Sequence, residues 1–386
     1  MTPDEARRRA QESSNLNVFI SFTQEQGDGP SVAVKDLIDV KGTVTTGGSN
    51  LLPDSPSSED AQVIMEIRKH GCAVIGKTNL HEWALGATSN NRHFGPVRNP
   101  HDPRRVAGGS SGGSAAAAAA HMCDWAIGTD TAGSIRIPAA LCGVVGLRPT
   151  VGTVSTEGVV PLSCTLDTVG PLAEDVRTLA SALELMSGGK FVPDDIPSLE
   201  SLKLAVPAGW VTDLDAGVDA AWRSVAKDLP EIDFPDRRRL YECTTTIVLE
   251  EAARFHRRMV NSAADRYDVN ILGDIQAGLN LTRESYVSAQ LEKRRIDQEI
   301  EVALADWDGL VTPTTSCVAP FLEDSDAVRE PLNRFTRPLS LSGHPVITLP
   351  TLTEGDLPVG IQILGKFGRD ADLLRIAAAF EASSRN

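Results

Sequence analysis

Short apolar runs alternate along this chain with longer stretches of helical periodicity, which is the pattern of an α/β fold. Residues 3 to 14 are polar and helix-compatible, and the β-branched run Ser31 to Val40 predicts a strand entering a turn at Gly42. That places Lys35 at a strand end, where functional side chains often emerge. A helix over 61 to 70 leads into a strand at Cys72 to Ile75, and this strand, helix, strand order predicts a mostly parallel sheet. Another helix is expected over 79 to 86. The run Ala115 to Ala120 predicts a helix with Ser114 as its N-cap. Strands at 144–147 and 202–206 flank a helix at 175–187 and a Gly/Pro/Asp-rich loop at 188–197, the internal boundary that composition favours. From 282 to 305, Val287, Leu291, Ile296, Ile300 and Leu304 recur at helical spacing, which predicts an amphipathic helix with this stripe in the core. Two strands, 345–350 and 359–364, precede a closing helix at 371–382.

With 386 residues, 41% of them hydrophobic, the chain can bury a large core without disulfides. Its net charge of −15 argues against a nucleic-acid partner. The six cysteines (Cys72, Cys123, Cys142, Cys164, Cys243 and Cys317) include no Cys-x-x-Cys pair, and the seven histidines form no metal-like spacing. These features predict buried free thiols, no metal and a reducing compartment. The amino terminus has no apolar leader segment and no 18-residue apolar run occurs, so a cytoplasmic protein without membrane contact is expected.

The chemistry concentrates in two small-residue turns, Ala107-Gly-Gly-Ser-Ser-Gly-Gly-Ser114 and Gly128-Thr-Asp-Thr-Ala-Gly-Ser-Ile-Arg-Ile-Pro138. Each presents serine on backbone that glycine lets other groups approach, as a hydrolase with two working serines requires. Other motifs compete. Gly71 to Thr78 satisfies the phosphate-loop pattern, yet its interior reads as a strand where that motif needs a loop. Ser110 and Ser111 each centre a G-x-S-x-G pattern, with Asp308 and His344 downstream as partners for a Ser-His-Asp esterase, but no convincing strand precedes the turn. Asp36 and Asp39 read as local turn-binding carboxylates rather than an acid-base pair.

Taken together, Lys35 in Val-Ala-Val-Lys-Asp-Leu-Ile-Asp-Val-Lys-Gly and the two turns resemble the amidase signature family. The resemblance extends through Gly76-Lys-Thr-Asn79, Phe94-Gly-Pro-Val-Arg-Asn-Pro100, Cys142 to Thr150, Leu166-Asp-Thr-Val-Gly-Pro171, Leu310 to Thr314 and Leu357 to Gln362, about residues 30 to 380. It implies a single large domain over 1–386, a mixed sheet covered by helices, and a Ser-cisSer-Lys triad. Ser134 would be the nucleophile, Ser110 the bridging serine after a cis peptide from Gly109, and Lys35 the base. Thr131, Ala132, Gly133 and Ser134 would supply oxyanion-binding N–H groups. Ser111, Thr129 and Asp130 would hold the turns, and Arg136 is either a substrate-carboxylate ligand or part of a structural ion pair. Without the resemblance, Lys35 would read as an ordinary solvated strand-end lysine.

The resulting expectation is an amidase that cleaves a small carboxamide without a cofactor, with a catalytic segment at 30–175 and a specificity region at 175–310. Lys35 stands nearer the amino terminus than in most of the family, which implies a shortened amino-terminal segment and leaves a homodimer among the expected assemblies. Four rivals remain: a glutaminase subunit of a tRNA-dependent amidotransferase, the esterase, a phosphate-loop nucleotide binder, and a silent binding protein. The sequence Ser-Ile-Arg-Ile-Pro and the acidic charge weigh against the first.

Overall fold

A short apolar segment buried on both faces can satisfy its backbone only by pairing with neighbours, and the β-branched runs accordingly join one sheet. The protein is described by a computed structural model covering residues 1–352 and 357–384. In chain order the strands are β1 (Phe19–Phe22), β2 (Ser31–Lys35), β3 (Ala73–Thr78), β4 (Trp125–Asp130), β5 (Val145–Arg148), β6 (Thr168–Ala173), β7 (Leu204–Pro207), β8 (Glu231–Ile232), β9 (Gly309–Pro313), β10 (Val346–Leu352) and β11 (Pro358–Leu364). They lie in the order β1-β3-β2-β4-β6-β5-β10-β11-β9-β7-β8.

The helices are α1 (Pro3–Glu12), α2 (Gln62–Arg68), α3 (Gly112–Ala119), α4 (Arg136–Cys142), α5 (Val176–Ser187), α6 (Ala216–Ala226), α7 (Arg237–Ala263), α8 (Val269–Leu279), α9 (Arg283–Leu304), α10 (Arg329–Asn333), α11 (Thr336–Leu339) and α12 (Asp370–Ser384). One core layer packs α2, α5, α6 and α12 against the sheet; α1, α3 and α4 fill a second, and α7, α8 and α9 build a third. None of the helices among the described residues is long and apolar enough to cross a membrane.

The expected single α/β domain with a mixed sheet is observed. The expectation of a mostly parallel sheet is not met: among the described residues parallel pairing is confined to β2 with β3 and β4 and to β7 with β8 and β9, and antiparallel pairs outnumber it. The intervening pairs are antiparallel, because β5 and β6, and likewise β10 and β11, double back on each other without a crossover helix.

Several local expectations need correction. Ser114 is not an N-cap: α3 already begins at Gly112, and the Ser114 hydroxyl donates across to the Ile127 carbonyl at 2.9 Å. The segment 79–86 forms only a short 3₁₀ turn at Glu82–Ala84, with Trp83 and Ala84 at positive φ, since burying the Trp83 indole against His256 outweighs local helix preference. In α9 the inner stripe is Ala289, Ile296, Ile300 and Leu304, whereas Val287 and Leu291 face outward. Five cysteines are buried as expected and Cys164 is exposed.

Candidate active site

Parallel strands β2 and β4 are neighbours and run out at the same edge of the sheet, the place where α/β folds assemble ligand sites. Lys35 is the last residue of β2 and is wholly buried. Its Nζ lies 2.8 Å from Ser110 Oγ and 2.8 Å from Thr129 Oγ1, at the end of β4. No carboxylate among the described residues contacts it. Burial disfavours the ammonium and pulls Lys35 down to about 7, although the more distant charges of Asp130 and Asp167 pull the other way. A lysine in this state is a usable base at neutral pH.

Ser110 follows a cis peptide from Gly109. Its carbonyl is held by the His81 N–H at 3.1 Å and the Ser89 hydroxyl at 3.2 Å. Gly109 has no room for a side chain, because a Cβ there would come within 2.8 Å of the backbone nitrogens of Thr88 and Ser89. Ser111 ties the two turns together: its N–H donates to the Ser134 carbonyl at 3.0 Å, and its hydroxyl donates to the Thr129 carbonyl at 3.1 Å. Ser134 itself is 7% exposed, at the mouth of the loop that precedes α4.

That loop is wound around a buried carboxylate. Asp130 accepts the N–H groups of Gly133 at 2.8 Å and Ile135 at 3.1 Å, and pairs with Arg136 at 3.0 Å and Arg148 at 3.5 Å. Burial alone would raise its pKa, but the two guanidiniums win and hold it well below the usual carboxylate range. Of the four N–H groups expected to meet an oxyanion, that of Gly133 donates to Asp130, and those of Thr131, Ala132 and Ser134 meet no protein acceptor among the described residues. Gly133 adopts φ +124°, and a Cβ would sit 2.2 Å from Thr336 Oγ1, so only glycine fits. The Arg136 guanidinium spends its N–H groups on Asp130, Thr336, Gln362 and Ser340. Each of its nitrogens thus meets an acceptor inside the protein.

The Amidase family model matches residues 1–374. The chain belongs to the amidase family. It is 33% identical, over 92% of its length and 84% of the relative's, to the A-type subunit of glutamyl-tRNA(Gln) amidotransferase from Koribacter versatilis, and 34% identical to the corresponding protein of Thermus thermophilus, covering 92% and 85%. Among solved structures, one titled as an amidase superposes with a TM-score of 0.92 at 34% identity, covering 100% of this chain and 96% of the other. A chain from an inhibitor-bound vestigial protein complex, one said to reveal the evolutionary origins of an s-triazine catabolic enzyme, superposes with a TM-score of 0.92 at 28% identity, covering 99% and 94%.

This amidase-family chain also carries site residues that sequence reasoning does not assign. Asp167 accepts the Thr131 hydroxyl and the N–H groups of Leu162 at 2.9 Å and Ser163 at 3.0 Å, so it braces the 131–134 loop from the cavity side. Its only sequence signal is the Leu166-Asp-Thr-Val-Gly-Pro171 stretch. A cavity of about 100 Å³ opens beside the turns, lined by Thr129, Thr131 and Asp167 with Leu37, Val159 and Leu162. The esterase partners are elsewhere: His344 bonds Ser342 at 2.9 Å and is held down to about 4 by burial, and Asp308 accepts the Lys203 N–H at 2.8 Å. Lys77 of the phosphate-loop pattern lies inside β3, paired with Asp36 at 2.7 Å. Among the described residues no group of three or more histidine, cysteine or acidic side chains could hold a metal.

Proposed function

We propose that this protein hydrolyses a small carboxamide to a carboxylate and ammonia or an amine through an acyl-enzyme on Ser134. The observation that carries the reading is the buried Lys35 amine, 2.8 Å from Ser110 Oγ and free of any contacting carboxylate among the described residues. Neutral Lys35 takes the proton of Ser110 as Ser110 takes that of Ser134, and Ser134 attacks the amide carbonyl. The N–H groups of Thr131, Ala132 and Ser134 receive the oxyanion. The relay then returns a proton to the leaving amine, and water repeats the sequence to release the acid. Every step uses side chains and backbone of this chain alone. Amide hydrolysis by the purified protein, lost about 1,000-fold or more in both Ser134→Ala and Ser110→Ala, tests it. Full activity in Ser134→Ala would refute it.

A second reading, a glutaminase subunit of a tRNA-dependent amidotransferase, is favoured by the amidotransferase relatives at 33% and 34% identity. It requires glutamine hydrolysis that depends on added partner proteins, whereas the first reading requires activity of the chain alone.

A further inference from the structure

Helix α7 buries a carboxylate that takes no part in the proton relay. Glu251 is 5% exposed and makes no ion pair among the described residues; Arg254, one turn along the same helix, pairs with Glu250 at 2.6 Å instead. Four donors meet the Glu251 oxygens: the Ser163 hydroxyl at 2.6 Å, the Thr165 N–H at 3.0 Å, the Thr165 hydroxyl, and the Tyr286 hydroxyl of α9 at 2.6 Å. Gln290, also on α9, donates to the Tyr286 hydroxyl at 2.9 Å and closes the cluster. Burial alone would push the Glu251 carboxyl up, but these donors win and hold it below the usual carboxylate range.

Taking a charge out of water with no cation beside it is a poor way to hold a helix, since apolar packing serves as well. What the carboxylate adds is a fixed position for each of its donors. Those donors lead into the site. Ser163 and Thr165 belong to the loop 162–167, and the same loop presents Asp167, which accepts the N–H groups of Leu162 and Ser163 and the Thr131 hydroxyl. Leu162, Cys164 and Asp167 of this loop line the cavity of about 100 Å³ together with Thr131. Ser163 is gripped twice, through its hydroxyl by Glu251 and through its N–H by Asp167. An unbroken run of contacts therefore leads from Glu251 through Ser163 and Asp167 to Thr131, three residues before Ser134. Arg148 fixes the inner end of the loop by donating to the Leu166 carbonyl at 2.8 Å, and Glu251 fixes the outer one.

We propose that Glu251 is a positioning residue for the hydrolysis: it holds the loop 162–167 where Asp167 keeps Thr131, and with it the N–H groups of the 131–134 loop, in place for the oxyanion. The idea rests on the amidase reading above. Donors of this kind act only when they are aimed before charge develops, so a residue that fixes their support changes the rate without touching the substrate. Glu251 reaches the reaction through Asp167 alone, and that route predicts how the two residues combine.

The test measures the rate at which a fluorophosphonate labels Ser134 in the wild type, Glu251→Ala, Asp167→Asn and the double variant, with hydrogen exchange of the segment 160–167 followed alongside. Glu251→Ala should slow labelling about 10-fold, yet in the double variant it should add less than about 2-fold to the loss caused by Asp167→Asn, because both changes break one route. Glu251→Gln should recover part of the rate, since its carbonyl oxygen still accepts and its amide can donate to the hydroxyls. Exchange at Ser163 and Thr165 should quicken in Glu251→Ala. Labelling of Glu251→Ala at the wild-type rate, losses that multiply in the double variant, or unchanged exchange of 160–167 would each overturn the proposal. Should Glu251→Ala not fold, Ser163→Ala and Thr165→Val remove the hydroxyl donors from the loop side and are read against Asp167→Asn in the same way. A wild type that takes no label on Ser134 would instead overturn the amidase reading, and the exchange of 160–167 would then still decide whether Glu251 holds the loop.

Discussion

At the scale of single residues, Lys35 is a wholly buried amine whose charged form burial disfavours. Its pKa falls from an ordinary 10.5 to about 7 because burial removes water from the ammonium. This has one consequence for rate and another for stability. The kcat/KM profile should rise with pH and level off above about 7, as neutral amine accumulates. Stability should also rise with pH between about 7 and 10.5, because in that window the unfolded chain holds the proton that the folded chain has released. Lys35→Met should therefore lose activity by about 1,000-fold or more, melt higher than the wild type at pH 7, and show a flatter stability profile across the window. A variant that melts lower at pH 7 with the same pH slope would show that Lys35 is not a desolvated base.

At the scale of elements, the site is two loops wrapped on one carboxylate and braced by another. Asp130 compensates two buried guanidiniums, so Asp130→Ala should cost about 3–5 kcal/mol in chemical denaturation. A loss below about 1 kcal/mol would mean that the pairs are not what winds the loop. Asp167 grips Thr131 from the cavity side, and Asp167→Asn should lower kcat by about 10-fold to 100-fold with KM little changed, reporting on oxyanion placement. An equal rise in KM with constant kcat would move Asp167 to substrate binding. The glycine and serine turns are legible in the sequence because their residue types have few other uses. Lys35 is legible only through the family pattern, since nothing beside it in the chain reveals the burial supplied by β3 and β4.

The same contrast holds for secondary structure. Helices α2, α5, α9 and α12, and strands β2, β3, β5, β7, β10 and β11, follow from periodicity or β-branched runs. Strands β4 and β6 escape such a reading because both faces are buried and glycines interrupt them, leaving no alternation to read. Helix α7 escapes it too, although it spans 27 residues. It contains Thr244, Thr245 and Thr246, β-branched residues that argue for a strand; in the folded protein their hydroxyls instead donate to the carbonyls of Leu240, Tyr241 and Glu242. Tertiary packing of Trp83 similarly replaces the helix expected at 79–86.

At the scale of the whole molecule, one sheet, of eleven strands among the described residues, carries both the lysine and the serine turns, and the proposed amidase reading has this chain act alone. The chain purified alone should hydrolyse a simple amide, and glutamine should be no better a substrate when amidotransferase partner proteins are added. Activity that appears only with those partners and glutamine would favour the second reading. The net charge of −15 sets a further expectation: tRNA should neither bind the isolated chain in a mobility-shift assay nor change its rate.

The most direct measurement is the rate and site of covalent modification by a fluorophosphonate across the pH range. A single adduct is expected on Ser134, located by mass spectrometry, forming at a rate that climbs through about pH 7 and collapsing in Lys35→Met. An adduct on Ser110 or Ser111, or labelling of Ser134 that is indifferent to pH and to Lys35, would contradict it.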